Sequence, residues 1–157
     1  MKDICIIHDL ESSILVDIGE TLGNAGVNIE GLSISTLNHS SVVHFLVADE
    51  QAAIRALKST ALQVEAVSDV FILDKDNMQV TGKAGSFGGI CKLLIDNDLI
   101  IKFGYPAENN RFVFGVDKPE KAKQLLAPVY NKAFKQIRNA WHFGFESALV
   151  FTAQCFR

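Results

Sequence analysis

The chain is short of the residues that staple, break or anchor a structure. Among 157 residues there are three cysteines, three prolines and one tryptophan. The cysteines, Cys5, Cys91 and Cys155, are odd in number and far apart, without the close pairing that a zinc site or a redox dithiol needs. They read as buried free thiols, and Cys5, inside an apolar run, reads as inert. Long apolar runs are missing too. The stretch Val42 to Ala48 is interrupted by His44 and is far too short to span a bilayer. No charged start followed by a long apolar region marks a secretory leader, which makes cytoplasmic residence the expectation.

Charge of one sign is also scarce. A net charge of -3 argues against a nucleic-acid footprint; residues 128 to 157 alone are mildly basic, with Lys132, Lys135, Arg138 and Arg157 against Glu146. The histidines His8, His39, His44 and His142 are scattered, with no carboxylate or cysteine at ligand spacing, so no metal is expected and solvated or hydrogen-bonded imidazoles are. No acid, base and nucleophile converge, and no cofactor motif stands: GKAGSFGG, residues 82 to 89, has glycines but neither the spacing nor the Lys-Ser/Thr ending of a phosphate loop. No enzyme is expected, and no catalytic residue is assigned.

What is present is a repeat. Residues 12 to 28, SSILVDIGETLGNAGVN, combine an apolar stripe at helical spacing, a glycine stop at Gly26 and a following strand. Residues 85 to 100, GSFGGICKLLIDNDLI, match them, with Leu15, Ile18 and Leu22 corresponding to Phe87, Ile90 and Leu94. The junctions VADEQAAIRAL and VDKPEKAKQLL repeat as well, with a shorter hairpin in the second copy.

Taken in order, DICII (3 to 7) is a buried strand; Ser12 or Ser13 caps the first helix; residues 27 to 37 and 41 to 48 form a hairpin about Asn38-His39-Ser40; Asp49 caps a helix over 50 to 58. Residues 62 to 73 run as extended chain from the last strand of one unit into the first of the next, near Ser68-Asp69. After a polar loop, 74 to 84, come a helix over 86 to 96, strands over 99 to 105 and 111 to 116 about a turn at 108 to 110, and a helix capped by Asp117 with Pro119 in its first turn.

The order strand, helix, strand, strand, helix, strand predicts an α+β fold of two ferredoxin-like βαββαβ units, with antiparallel sheets and helices on one face. Unit one takes residues 1–68 and unit two 69–127. Residues 128–157 form a C-terminal extension: helix to about Arg138, an aromatic group Trp141 to Phe145, and Ser147 to Phe156 as a candidate for the missing last strand.

The phrase NAGVNIEGLSI, the two repeated junctions and the strand joining the units together resemble the ACT domain family, in particular small bacterial proteins built of two ACT modules, over residues 3 to 126. The resemblance implies a non-catalytic regulatory fold that binds amino acids or similar small molecules where one module's first strand-to-helix loop meets a neighbour's second strand. It places candidate ligand contacts at Ser12, Ser13, Gly26, Asn28 and Ile29 in unit one and at Lys83, Ala84, Gly85, Ser86 and Phe87 in unit two. Physically, the free N–H groups at a helix start attract a carboxylate, and the Asn28 side-chain carbonyl suits an ammonium group. Gly85 fills the family's glycine position, where unit one has Ser13. The better carboxylate cradle is therefore at 83 to 87, facing Asn28. A homodimer that covers exposed sheet edges and a regulated protein partner are further expectations. The alternative is a protein-interaction or nucleic-acid-binding ferredoxin-like module. For RNA, the strands SISTL and VVHFLVA offer one Phe and no Lys or Arg.

Overall fold

The structure, a computed structural model, describes residues 1–9, 13–76 and 84–126. The elements expected for 127 to 157 lie outside them.

Unit one contributes β1 (Lys2–Asp9), α1 (Ile14–Asn24), β2 (Ile29–Leu37), β3 (Ser40–Val47), α2 (Glu50–Leu57) and β4 (Val64–Asp69). Unit two contributes β5 (Phe71–Asp74), α3 (Ser86–Asp96), β6 (Ile101–Ala107), β7 (Arg111–Val116) and α4 (Pro119–Leu126). All strands join one seven-stranded sheet in the order β4-β1-β3-β2-β6-β7-β5, and every pairing is antiparallel. The α+β, ferredoxin-like plan thus holds, with the two units fused edge to edge through β2 and β6.

That fusion is narrow. Gly31 pairs with Ala107, and the Glu108 N–H donates to the Glu30 carbonyl at 2.8 Å. A Cβ on Gly31 would lie 2.8 Å from that of Ala107, so a larger residue there would wedge the strands apart. β4 and β5 occupy opposite edges of the sheet, yet only Val70 separates them in the chain, and this requires the sheet to curl.

Alternation along the strands sorts side chains between two faces. On the helix-covered face, Ile4, Ile6, Val43, Phe45 and Val47 pack with Ile14, Ile18, Leu22, Ala53 and Leu57 of unit one. Phe71, Leu73, Phe114 and Val116 do so with Ile90, Leu94, Ala122 and Leu126 of unit two. On the opposite, inner face Leu46 and Val70 meet Tyr105 and Val113, so the curl buries a third cluster that belongs to both units.

Four local expectations need correction. The first matched pair of the helical stripe, Leu15 and Phe87, is exposed by 40% and 49%, and Ile14 is buried in its place in α1. Ser13 precedes α1 with φ -91° and ψ -12° and makes no side-chain cap bond, because its backbone is already helical rather than extended, as a cap requires. β2 and β6 each start two residues late, because Val27 and Leu99 donate their N–H groups back to Leu22 and Leu94 to close the preceding helix. Asp117 does not cap α4. Pro119 is the first helical residue, which leaves the cap position to Lys118, and Asp117 Oδ1 instead accepts the Ile100 N–H at 2.8 Å. Asp49 behaves as expected, accepting the Ala52 N–H at 2.9 Å.

Candidate functional site

The pairing registers place the expected contact residues in two groups. Asp9 pairs with Ser40, and Ser40 with Leu37, so Ser13, which follows β1, lies at one end of the unit-one strands. Lys2 pairs with Val47, and Val47 with Ile29, so Gly26, Asn28 and Ile29 lie at the other. From that second end a row continues into unit two: Gly31 pairs with Ala107, Ala107 with Arg111, and Arg111 with Asp74. Phe112, next to Arg111, pairs with Leu73 and meets the Phe87 ring in the first turn of α3, which places the start of that helix near this end. The fold therefore sets Asn28 at the same end of the sheet as the start of α3 and leaves Ser13 at the opposite one. Ser12 and Lys83 fall outside the described residues.

The start of α3 is built around Gly85, whose φ of 78° is in the left-handed region that side chains disfavour. Its carbonyl accepts the Gly89 N–H at 3.1 Å, and the cap residue itself, a glycine, has no side chain to offer the helix. The first-turn N–H groups of a helix have no partner within it. Phe87, in that turn, sets its ring edge-on to Phe112 at 5.0 Å and stacks on Phe114 at 5.7 Å. It is thus a half-exposed apolar wall beside the helix start.

On the unit-one side, Gly26 closes α1 with φ 69°, and Asn28 emerges exposed. Its Nδ2 donates to Glu30 Oε1 at 3.2 Å. The other Glu30 oxygen accepts from Arg111 Nη2 at 2.7 Å, while Arg111 Nε donates to the Glu108 carbonyl at 2.8 Å. The hydrogen bond from Arg111, then that from Asn28, holds the Glu30 carboxyl below the usual carboxylate range. Sequence reasoning missed this pair. Its only signal was a Glu two residues after Asn28, and the Arg that answers it is supplied 81 residues later by the neighbouring unit.

A second unanticipated constellation sits on the inner face. Asp3 is fully buried; Tyr105 donates its hydroxyl proton to Oδ1 at 2.6 Å, and His44 Nδ1 lies 3.0 Å from Oδ2. Phe103 stacks on His44 with ring centroids 4.3 Å apart. Burial, reinforced by the Asp3 hydrogen bond and charge, pushes the Tyr105 phenol well above its ordinary value, so it acts as a fixed donor. Asp3 and Cys5 alternate with Ile4 and Ile6 along β1, and that alternation was the available sign that an acidic residue faces inward. Cys5 is buried and its thiol is pushed up by burial, as an inert thiol requires, whereas Cys91, also expected to be buried, is only half-buried. Cys155 and His142 lie outside the described residues.

Among the described residues, no group of three His, Cys, Asp or Glu side chains could hold a metal ion, and no helix is long and apolar enough to cross a membrane.

No family model matches the sequence, and no curated protein matches it. Solved structures do match. A protein from Bacteroides thetaiotaomicron superposes with a TM-score of 0.65 at 21% identity, over 81% of this chain and 86% of that one. The regulatory subunit of aspartate kinase from Thermus thermophilus, in its ligand-free form, superposes with a TM-score of 0.61 at 12% identity, over 83% of this chain and 92% of that one. The aspartate kinase of Clostridium acetobutylicum, described as an allosteric enzyme, gives 0.57 at 13% identity, with 83% of this chain covering 33% of that one. At these identities the likeness is one of fold, and the fold is the ACT-like one.

Proposed function

We propose that this protein is a non-catalytic regulator of the ACT type that binds a small zwitterion of the amino-acid class between its two units and passes the binding on to a partner protein. One observation carries the reading: the β2–β6 join brings the Asn28 end of unit one to the end of the sheet where α3 of unit two begins. In this reading the backbone N–H groups of Gly85 and Phe87, on either side of Ser86 at the start of α3, take the carboxylate. The Asn28 side-chain carbonyl and the backbone toward Ile29 take the ammonium group, Phe87 lines the side-chain pocket, and Gly26 and Ala84 allow close approach. Ser13 belongs to the far end and is not assigned to this site. The ligand-free aspartate kinase regulatory subunit with the same fold supports the regulatory part of the reading. We further propose a cytoplasmic homodimer whose geometry responds to the bound molecule, since a ligand shifts an equilibrium only through unequal affinity for its two states.

The test is thermal unfolding of the full chain with each of the twenty amino acids at millimolar concentration. At least one is expected to raise the melting temperature in a concentration-dependent way. If none does, amino-acid binding is wrong. Light scattering with and without the stabilising amino acid then reads the dimer; a monomer under both conditions at micromolar protein removes that part.

A further inference from the structure

The polar chain from Asn28 to Arg111 crosses the boundary between the units, and its donors and acceptors have a fixed direction. A carboxylate can only accept hydrogen bonds. Glu30 uses one oxygen for Arg111 Nη2 at 2.7 Å and the other for Asn28 at 3.2 Å, so the Asn28 amide must present its NH₂ group to Glu30. The opposite edge of that amide, its carbonyl oxygen, is then turned away from Glu30. Arg111 is itself held in place, with Nε on the Glu108 carbonyl at 2.8 Å, and Glu108 donates its own N–H to the Glu30 carbonyl at 2.8 Å. Glu30 and Arg111 are less than one-fifth exposed, whereas Asn28 is exposed. The anchored part is thus sheltered and the oriented part reaches solvent.

The repeat supplies an internal control. Val27 and Leu99 make the same bond back into the preceding helix, so Asn28 matches Ile100 and Glu30 matches Lys102. Unit two has neither the amide nor the carboxylate at those positions.

We propose that Glu30 and Arg111 are positioning residues for the ligand site: Arg111 of unit two fixes Glu30 of unit one, and Glu30 fixes the Asn28 amide with its carbonyl oxygen free to accept from the ammonium group of an amino acid. This rests on the site proposed above. It adds that the site is assembled only when the two units are docked, because one end of the positioning chain belongs to each.

Two measurements on the full chain separate this proposal from the reading beneath it. The first is NMR of the Asn28 side-chain NH₂ in ligand-free protein, assigned by loss of its signals in Asn28→Ala. In the parent protein, one of its two protons is expected to be shifted downfield and protected from exchange. In Glu30→Leu both should move to the positions of free asparagine amides, and Glu30→Gln, which keeps an acceptor, should recover part of the shift. Unchanged Asn28 signals in a folded Glu30→Leu protein overturn the proposal. The second is titration with the amino acid that most raises the parent's melting temperature. Its affinity is expected to fall about tenfold in Glu30→Leu and in Arg111→Met, the scale of one hydrogen bond to a charged group, and less in Glu30→Gln. Unchanged affinity in both Glu30→Leu and Arg111→Met also overturns it. If no amino acid binds the parent, the ligand reading falls, and the NMR arm still decides whether Glu30 orients Asn28.

Discussion

The starts of β2 and β6 occupy the same place in the repeat and have been put to different uses. Each follows a helix closed by a residue of positive φ, Gly26 at 69° and Asp98 at 58°. In unit two the next residue but one, Ile100, is sealed: its N–H donates to Asp117 Oδ1 at 2.8 Å, and its carbonyl accepts the Asp117 N–H at 3.1 Å. In unit one, Ala48 stands where Asp117 would, with no carboxylate to offer, and Asn28 turns its side chain to Glu30 instead. The buried positions barely differ between the copies: Ile18 and Ile90, Leu22 and Leu94, Ala53 and Ala122, Leu57 and Leu126. The repeat preserves packing, where a cavity is costly, and diverges at the strand entrances, where a single side chain decides between a closed ladder and an open amide.

The harshest way to probe that comparison is to cut matched core residues. Leu22 and Leu94 are both fully buried, and Leu22→Ala and Leu94→Ala should each cost about 2–5 kcal/mol. Because the inner cluster draws on both units, either variant should lower one shared urea transition. Two resolved transitions would show that the units unfold separately.

A smaller effect distinguishes the two helix starts. Gly85→Ala forces a side chain into φ 78° and should cost about 1 kcal/mol. Ser13→Ala should stay within about 0.5 kcal/mol, since the Ser13 side chain makes no cap bond. Equal losses in chemical denaturation would mean that the starts are equivalent after all.

The mildest probe is acid. Glu30, held down chiefly by its Arg111 hydrogen bond, and Asp117, held down chiefly by the Ile100 N–H, both have folded-state carboxyls below their ordinary range. The unfolded chain therefore binds protons more readily than the folded one. The stabilisation is present above the unfolded carboxylate value of about 4 and is lost as pH falls through the lower folded values. Glu30→Gln and Asp117→Asn should each flatten the fall in urea midpoint on acidification. An unaltered slope would mean that these carboxylates are not what the acid acts on.

The parts legible in advance were those written in local pattern. The bounds of α3 and β7, the Asp49 cap and the glycine stop at Gly26 follow from periodicity and from chemistry within a few residues. Asn28 and Gly85 could be named because their neighbourhoods look like those of the ACT family. Glu30, Arg111, Asp3 and Tyr105 could not, because each acquires its meaning from a partner on the other unit. His44 looked like one of several scattered imidazoles until the hairpin set it opposite Cys5 and diagonal to Asp3. Asp117 was misread as a cap because Asp-x-Pro is a common helix opening; its acceptor went instead to the strand entrance beside it.

The Tyr105 hydroxyl reaches Asp3 across 102 positions of chain. During synthesis, the first strand emerges long before the group that will satisfy its acidic side chain. Any compact intermediate made of residues 1 to 69 alone must keep Asp3 in contact with water or bury a carboxylate short of one donor, and the second choice is expensive. The inner face of unit one is therefore completed only by a side chain from unit two.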